Sequence, residues 1–357
     1  MPTLKLSQIG ELTLLEQIRK KFEKYPPDIL VGIGDDAALI KHTNENLLVT
    51  TDMMVEGVHF NMDFMTPFQL GFKLVSVNVS DIYAMGGKPK FLLLNIAMRR
   101  NMDKKTIDSF FDGVQEAMKL YSLFLVGGDL SASHKDMTLS ATLIGYAKKY
   151  LKRSGAKQGD RIYVTGNLGD SSCGLELLKR IKRPIPIELS KERRAKSKDL
   201  RINSNDTVLY ATRSKLPAKG LKWNDVELLL RRHLMPVAKD SKKFVRSATS
   251  MLDISDGLLI DLSRICDESR VGARIYINNI PISSELKRVA SCLGMSPVKL
   301  ALSGGEDYEM LFTAPSSKKV NAIYIGDITE SERVIVYPSG RKRAFSAEGY
   351  QHFGIYR

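Results

Sequence analysis

Residues 67–98 read PFQLGFKLVSVNVSDIYAMGGKPKFLLLNIAM, and two structural periods meet inside them. The stretch 67–85 predicts a long helix, opened by Pro67 and closed by Gly86-Gly87, the asymmetry expected of helix ends. The run 90–98 is apolar almost throughout and reads as a buried strand. Working outward, Leu14, Leu15, Ile18 and Phe22 give 11–24 a helical stripe. Residues 46–51, 123–126 and 137–147 read as strands and 103–121 as a helix. The loop 154–160, SGAKQGD, marks a boundary after residue 152. Beyond it we expect a strand at 161–165, a turn into a helix ending at Ile181, and helices at 223–232 and 239–248. Then come a strand at 250–254, a helix at 257–267, a strand at 273–277, a helix at 283–293, and strands at 308–313, 321–325 and 333–337. Helices and strands mix without a strict βαβ rhythm, so the class is α+β. Two domains are expected, 1–152 and 153–357, as the length also implies.

Composition removes several classes. The chain has 357 residues, 43% hydrophobic and 26% charged, an ordinary globular balance. Its three cysteines, Cys173, Cys266 and Cys292, form no CxxC pair, which argues for a reducing, cytoplasmic setting and against a zinc ribbon. The apolar run 91–98 is too short to span a bilayer, and residues 1–10 alternate polar with apolar, unlike a signal sequence. The net charge of +14 is concentrated. Residues 179–222 hold 14 Lys and Arg against 4 Asp and Glu, a net +10, with Pro184, Pro186, Pro217 and Gly220 and little periodicity. We read 182–222 as a basic insertion, a solvated face or a place where polyanions gather.

The chemistry sits in a repeated local pattern: an apolar strand running into Gly, Ser or Thr and one or two Asp. It occurs as VGIGDD (31–36), LVTTD (48–52), LVGGD (125–129) and MLDISDG (251–257). Asn78 and Asp81 share a helix face by their i,i+3 spacing, and SGGEDYE (303–309) precedes a strand. Singly, each has a plain explanation: Ser255 or Asp256 caps the next helix, or Asp81 is simply exposed. Together they place carboxylates, hydroxyls and glycines at strand ends. Carboxylates gathered in one cleft repel one another and need cations. Asp and Thr oxygens, with few His or Cys, select Mg²⁺ or Mn²⁺ over zinc. Magnesium keeps waters and is completed by phosphates, so a phosphorylated ligand follows, approached by backbone amides at Gly127-Gly128 and Gly304-Gly305. The sequence has no GxxxxGK[ST], no GxGxxG and no HRD or DFG.

On these residues the chain resembles the thiamine-monophosphate kinase family, within the superfamily of aminoimidazole-ribonucleotide and selenophosphate synthetases. The motifs are GIGDDAA (32–38), TTDMMVEGVHF (50–60), VNVSDIYAMGGKP (77–89), GGDLSAS (127–133), RSGAKQGD (153–160), VTGNLGDSSCGL (164–175), DISDGLLIDL (253–262), SGGEDYE (303–309) and GYQHF (349–353). The resemblance implies a two-domain synthetase-like kinase. Its N-terminal mixed sheet would pair across a homodimer into a barrel, and its C-terminal half would form an α+β sandwich. It implies that Asp35, Thr50, Thr51, Asp52, Asp81, Asp129, Asp253 and Asp256 hold several magnesium ions. Gly128, Asp129, Arg153 and Ser255 would contact ATP, and His59 and Glu306 thiamine monophosphate. Tyr350 would cover the thiamine ring, with Phe353 and Tyr356 as alternatives. No residue is assigned as a general base.

Three features depart from the family pattern. Leu130 replaces the usual hydroxyl residue after GGD, the stretch Arg231 to Lys239 (RRHLMPVAK) lacks its closing Arg, and 182–222 is long and basic. Two other functions remain in view: a sister synthetase reaction, and nucleic-acid binding through 179–222. The synthetase using selenium typically needs a Cys near its start, and no Cys precedes Cys173. Few aromatics lie near the basic stretch to stack bases (Tyr210, Trp223).

Overall fold

The computed structural model describes residues 11–33, 37–185, 187, 216, 218 and 220–352. Asp35, most of the basic insertion 182–222, Phe353 and Tyr356 lie outside the described residues. The rest divides into two units, one holding 11–82 and Gly87–Lys148, the other Tyr83–Gly86, Lys149–Lys182 and the described residues after 204. Each unit carries its own mixed sheet, an α+β architecture.

The first unit runs α1 (Glu11–Phe22), β1 (Ile29–Val31), β2 (Leu39–Ile40), β3 (Asn46–Val55), α2 (Pro67–Ala84), β4 (Lys88–Arg99), α3 (Lys104–Tyr121), β5 (Phe124–Ser133) and β6 (Thr138–Ala147). Its main sheet has the order β3-β6-β4-β5, with β4 and β5 parallel and the other pairs antiparallel. The unbroken apolar run of β4 is explained by its central place. Helix α2 is buried nearly all round, Leu70, Phe72, Leu74, Val75 and Val79 fully so and the polar Gln69, Lys73 and Asn78 with them, which marks an internal helix. It crosses α3 closely. A Cβ on Gly71 would fall 2.1 Å from the Phe110 carbonyl oxygen, and one on Gly113 would fall 1.9 Å from that of Phe68. Only glycine allows that approach. Along β3, Leu48 and Met54 are buried while Leu47, Val49 and Met53 are exposed, the alternation of a sheet with one covered face.

The second unit runs β7 (Asp160–Val164), α4 (Asp170–Ile181), α5 (Trp223–Leu234), β8 (Ser250–Asp253), α6 (Leu258–Ser269) and β9 (Gly272–Tyr276). It continues with a 3₁₀ turn (Ile277–Asn279), α7 (Ser284–Cys292), α8 (Pro297–Ser303), β10 (Met310–Pro315), β11 (Ile323–Thr329), β12 (Arg333–Val336) and β13 (Lys342–Ala344). The sheet order is β13-β12-β9-β11-β7-β10-β8, and only β9 and β12 run parallel. One apolar cluster gathers Ile254, Leu258, Leu262 and Ile265 with Ile162, Val164 and Leu311. A second joins Tyr163, Phe244, Met251 and Phe312, the rings of Phe244 and Phe312 lying 4.6 Å apart.

The expected helix at 239–248 is a series of turns. Phe244 N–H bonds to the Ser241 carbonyl, and Ser247 and Ala248 bond back to that of Phe244. Tight turns here place the Phe244 ring in the aromatic cluster, so packing overrides helical propensity. Helix α8, short and opened by Pro297 after the Ser296 cap, and strand β13 were not expected; β5 extends seven residues past the expected end at 126.

Candidate functional site

In the first unit, the Thr50 hydroxyl donates to Asp81 Oδ2 at 2.7 Å. One turn earlier on α2, Asn78 Oδ1 accepts the Asp52 backbone N–H at 3.1 Å, while its Nδ2 donates to the Leu74 carbonyl at 2.9 Å. The i,i+3 pair on α2 therefore lies along one edge of β3 and brings Thr50, Asp52 and Asp81 together. Thr51, one residue on, turns to the other sheet face. Its hydroxyl donates to the Ala141 carbonyl and lies 3.1 Å from that of Thr142. Asp52, Ala141, Leu94 and Gly128 form one cross-sheet row, and Asp129 stands in the next, opposite Asn95. Gly128 has φ of +149°, and a Cβ there would lie 1.9 Å from the Leu94 carbonyl oxygen. The GGD motif thus needs glycine for its backbone and leaves Asp129 exposed on the edge strand. His59 sits in the turn after β3, where its Nδ1 accepts the Val55 N–H at 3.0 Å. Asp35 lies outside the described residues.

In the second unit, two loops run side by side beyond the ends of β8 and β10. Ile254 and Tyr308 exchange backbone bonds with Glu309 and Ile254, and Glu306 N–H donates to the Ser255 carbonyl at 2.7 Å. Glu306 and Tyr308 adopt left-handed backbone, φ +64° and +50°. Non-glycine residues there cost about 1–2 kcal/mol each, so the surroundings must hold them. Asp307, between them, does part of this. Its buried carboxylate accepts the Gly169 and Ser171 N–H groups, 2.7 and 3.3 Å away, at the start of α4. Burial pushes the Asp307 carboxyl up to about 7, against the opposing pull of Arg232 and of these amides. Tyr350 N–H donates to the Asp256 carbonyl at 3.0 Å, and its hydroxyl lies 3.3 Å from His352 Nδ1. Backbone bonds therefore collect Asp253, Ser255, Asp256, Glu306 and Tyr350 in one place.

Arg153 is not among them. Its carbonyl accepts from Ser269 Oγ, at the last residue of α6, whereas Ser255 and Asp256 precede the first. Twelve helical residues, about 18 Å, separate those ends.

Several working residues escaped the sequence reading. Helix α6 has no side-chain cap from Ser255 or Asp256. Instead Asp261 folds back, its Oδ2 accepting the Asp256 and Gly257 N–H groups at 3.1 Å each. Burial raises the Asp261 carboxyl to about 6, although Arg264 opposes it. Arg264 also binds Asp256 Oδ2 at 2.6 Å, which leaves that carboxylate one oxygen less engaged. The Asp261–Arg264 i,i+3 spacing was the available signal, but it reads equally as a surface pair. Glu309 is buried between Arg232 at 2.7 Å, Lys239 at 3.4 Å and the Thr165 hydroxyl.

Residues 34–147 match the family described as AIR synthase related protein, N-terminal domain, and residues 207–339 match its C-terminal domain. These matches and the two mixed sheets define a class of two-domain, synthetase-like proteins. A thiamine-monophosphate kinase from Aquifex aeolicus is 33% identical over 98% of this chain and all of its own length. One from Buchnera aphidicola of Acyrthosiphon pisum is 34% identical, covering 96% and 98%. A solved structure of AaThiL complexed with AMPPCP and TMP is 31% identical, covers 99% of this chain and all of its own, and superposes with a TM-score of 0.70. The chain belongs to the thiamine-monophosphate kinase family.

Proposed function

We propose that this chain transfers the γ-phosphoryl group of ATP to thiamine monophosphate, giving thiamine diphosphate and ADP. The observation that carries this is the near-full-length likeness to AaThiL complexed with AMPPCP, an ATP analogue, and TMP. The acceptor is a phosphate monoester with a second pKa of about 6, so at neutral pH it is already ionised. It needs no general base. The task is to hold two polyanions in line, which is positioning and electrostatics.

The family's chemistry calls for magnesium. Thr50, Asp52 and Asp81 offer hard oxygen donors in one place. Among the described residues, no three or more His, Cys, Asp and Glu side chains are grouped to enclose an ion. That donor set fits an ion that keeps waters and takes phosphate oxygens, and does not resemble a closed protein cage. Several ions would be held, in the first unit by Asp35, Thr50, Asp52, Asp81 and Asp129, with Thr51 offering its backbone oxygen since its hydroxyl turns to the other sheet face, and in the second by Asp253 and Asp256, Asp256 through the oxygen that Arg264 leaves less engaged. When bound, magnesium screens the charge between donor and acceptor phosphates.

The chain's own groups supply orientation. The glycine backbone at Gly128 lets amides approach the nucleotide, with Ser255 beside it in role. Glu306 and His59 contact the acceptor, and Tyr350 covers its thiamine ring. Arg153, from the far end of α6, completes the nucleotide contacts. We further place the protein in the cytoplasm, which its three free cysteines support, and as a homodimer whose N-terminal sheets join into a barrel. The exposed Leu47, Val49 and Met53 on β3 support that pairing. No helix among the described residues is long and apolar enough to cross a membrane.

The test is a coupled assay of ADP release. Release should depend on thiamine monophosphate and stop on chelation of magnesium. ADP release unaffected by thiamine monophosphate would refute the assignment.

A further inference from the structure

The stretch RRHLMPVAK (231–239) carries no proposed ligand or metal contact, yet Arg232, His233 and Lys239 all point at one loop. Arg232 and Lys239 both reach Glu309 Oε1. His233, the next residue on α5, places Nδ1 3.0 Å from Glu306 Oε2 and 3.2 Å from Ser171 Oγ. A carboxylate only accepts, so His233 Nδ1 carries the proton and donates to Glu306. Helix α4 fills in the third contact, its first amides holding Asp307.

The three acidic residues of GGEDYE thus have separate anchors: Glu306 on His233, Asp307 on the start of α4, Glu309 on Arg232 and Lys239. The anchors are fixed relative to one another. A Cβ on Gly174 would fall 2.2 Å from the Leu229 carbonyl oxygen and 3.2 Å from the His233 Cβ, so α4 and α5 touch backbone to backbone just below Ser171 and His233. His233 itself is 3% exposed, whereas the Glu306 side chain is 30% exposed. One end of the pair is locked in packing, and the other meets solvent. That is the arrangement of a buried group aiming an exposed one.

We propose that His233 is a positioning residue for acceptor recognition: from within the α4–α5 packing it orients the Glu306 carboxylate toward the cationic thiazolium of the acceptor. Arg232 and Lys239 hold the strained backbone from which Glu306 projects. This rests on the proposed function, in which Glu306 meets thiamine monophosphate. A misdirected carboxylate weakens binding of the cationic acceptor and leaves ATP binding unchanged, because Glu306 does not contact the nucleotide.

Steady-state kinetics of His233→Leu, His233→Asn and Glu306→Gln, with both substrates varied, test this. His233→Leu should raise the KM for thiamine monophosphate about tenfold or more, a factor equivalent to about 1.4 kcal/mol, with the KM for ATP within about twofold of wild type. His233→Asn, whose side-chain amide retains a donor near the Nδ1 position, should recover most of the loss. Glu306→Gln should show the same acceptor defect, and His233→Leu combined with Glu306→Gln should be no worse than either alone. Additive defects, or a His233→Leu enzyme with unchanged acceptor KM, would overturn the inference. If His233→Leu does not fold, His233→Phe, which keeps a ring in the packing without the Nδ1 donor, takes its place under the same criterion of non-additivity with Glu306→Gln. Wild-type protein that releases no ADP with thiamine monophosphate would instead overturn the function itself.

Discussion

Asp52 on strand β3 and Asp307 in the loop before β10 are both carboxylates of the acidic motifs, and their surroundings give them opposite tasks. The Asp52 backbone is pinned by Asn78 while its side chain remains partly accessible. Asp52→Asn should lower turnover by at least about 100-fold, the scale of losing a metal-organising group, with a melting temperature close to wild type. Near-normal rates at saturating magnesium would remove the metal-cluster reading. Asp307 is sealed in. Its carboxyl titrates at about 7 in the fold, against about 3.9 in an unfolded chain, so the native state holds its proton more tightly. Its contribution to stability is therefore most favourable below about pH 4 and declines as pH rises through 7. Asp307→Asn cannot ionise. The stability of wild type minus that of this variant should be larger at about pH 5 than at about pH 8 in urea unfolding; a difference that grows with pH would contradict the burial argument. At this scale the sequence exposed the Asp residues but not their partners. Nothing in the order of residues says that Asp307 faces α4 or that Arg264 bridges Asp256 and Asp261, because both contacts are made by folding.

Among the elements, helix ends were the most legible, since their signals are local. Asp103 caps α3, its carboxylate accepting the Thr106 N–H at 2.7 Å, and Ser122 closes the helix in left-handed backbone. That bond to the Thr106 backbone lowers the Asp103 pKa. The stabilisation is therefore present above about pH 4 and lost as the pH falls through the lowered value. Asp103→Ala should cost about 1 kcal/mol at neutral pH and less in acid, measured by denaturant midpoints at the two pH values. A constant loss across that range would count against the cap. The element misjudged as a helix, 239–248, failed for a tertiary reason: Phe244 is drawn between Phe312 and its neighbours. Strand β5 was underestimated because its outer half, GGDLSAS, lacks apolar alternation and is held by pairing with β4 from Leu93 to Arg99.

For the whole molecule, the open question of assembly has a direct readout. β3 is an edge strand with Leu47, Val49 and Met53 exposed, and an uncovered apolar strand of this kind invites pairing. The proposed homodimer should appear in sedimentation at micromolar concentrations, and Val49→Asp should shift it toward monomer. A wild-type chain that stays monomeric would end the shared-barrel reading. The +10 charge of 179–222 has its own test: nucleic-acid retention that falls steeply with salt and disappears on removal of 182–222 would add a second function. The sequence by itself determined the α+β class, the ends of α2 at Pro67 and before Gly86-Gly87, and the acidic, glycine-bearing motifs, because these depend on hydrophobic period and on backbone demands met within a few residues. Only the tertiary structure decided which motif residues become neighbours: Thr50 with Asp81, Glu306 with His233, and Arg153 at the opposite end of α6 from Ser255. Thr50 and Asp81 stand 31 positions apart and the Ser269 hydroxyl meets the Arg153 carbonyl across 116, separations that only strand register and helix packing bring within bonding range.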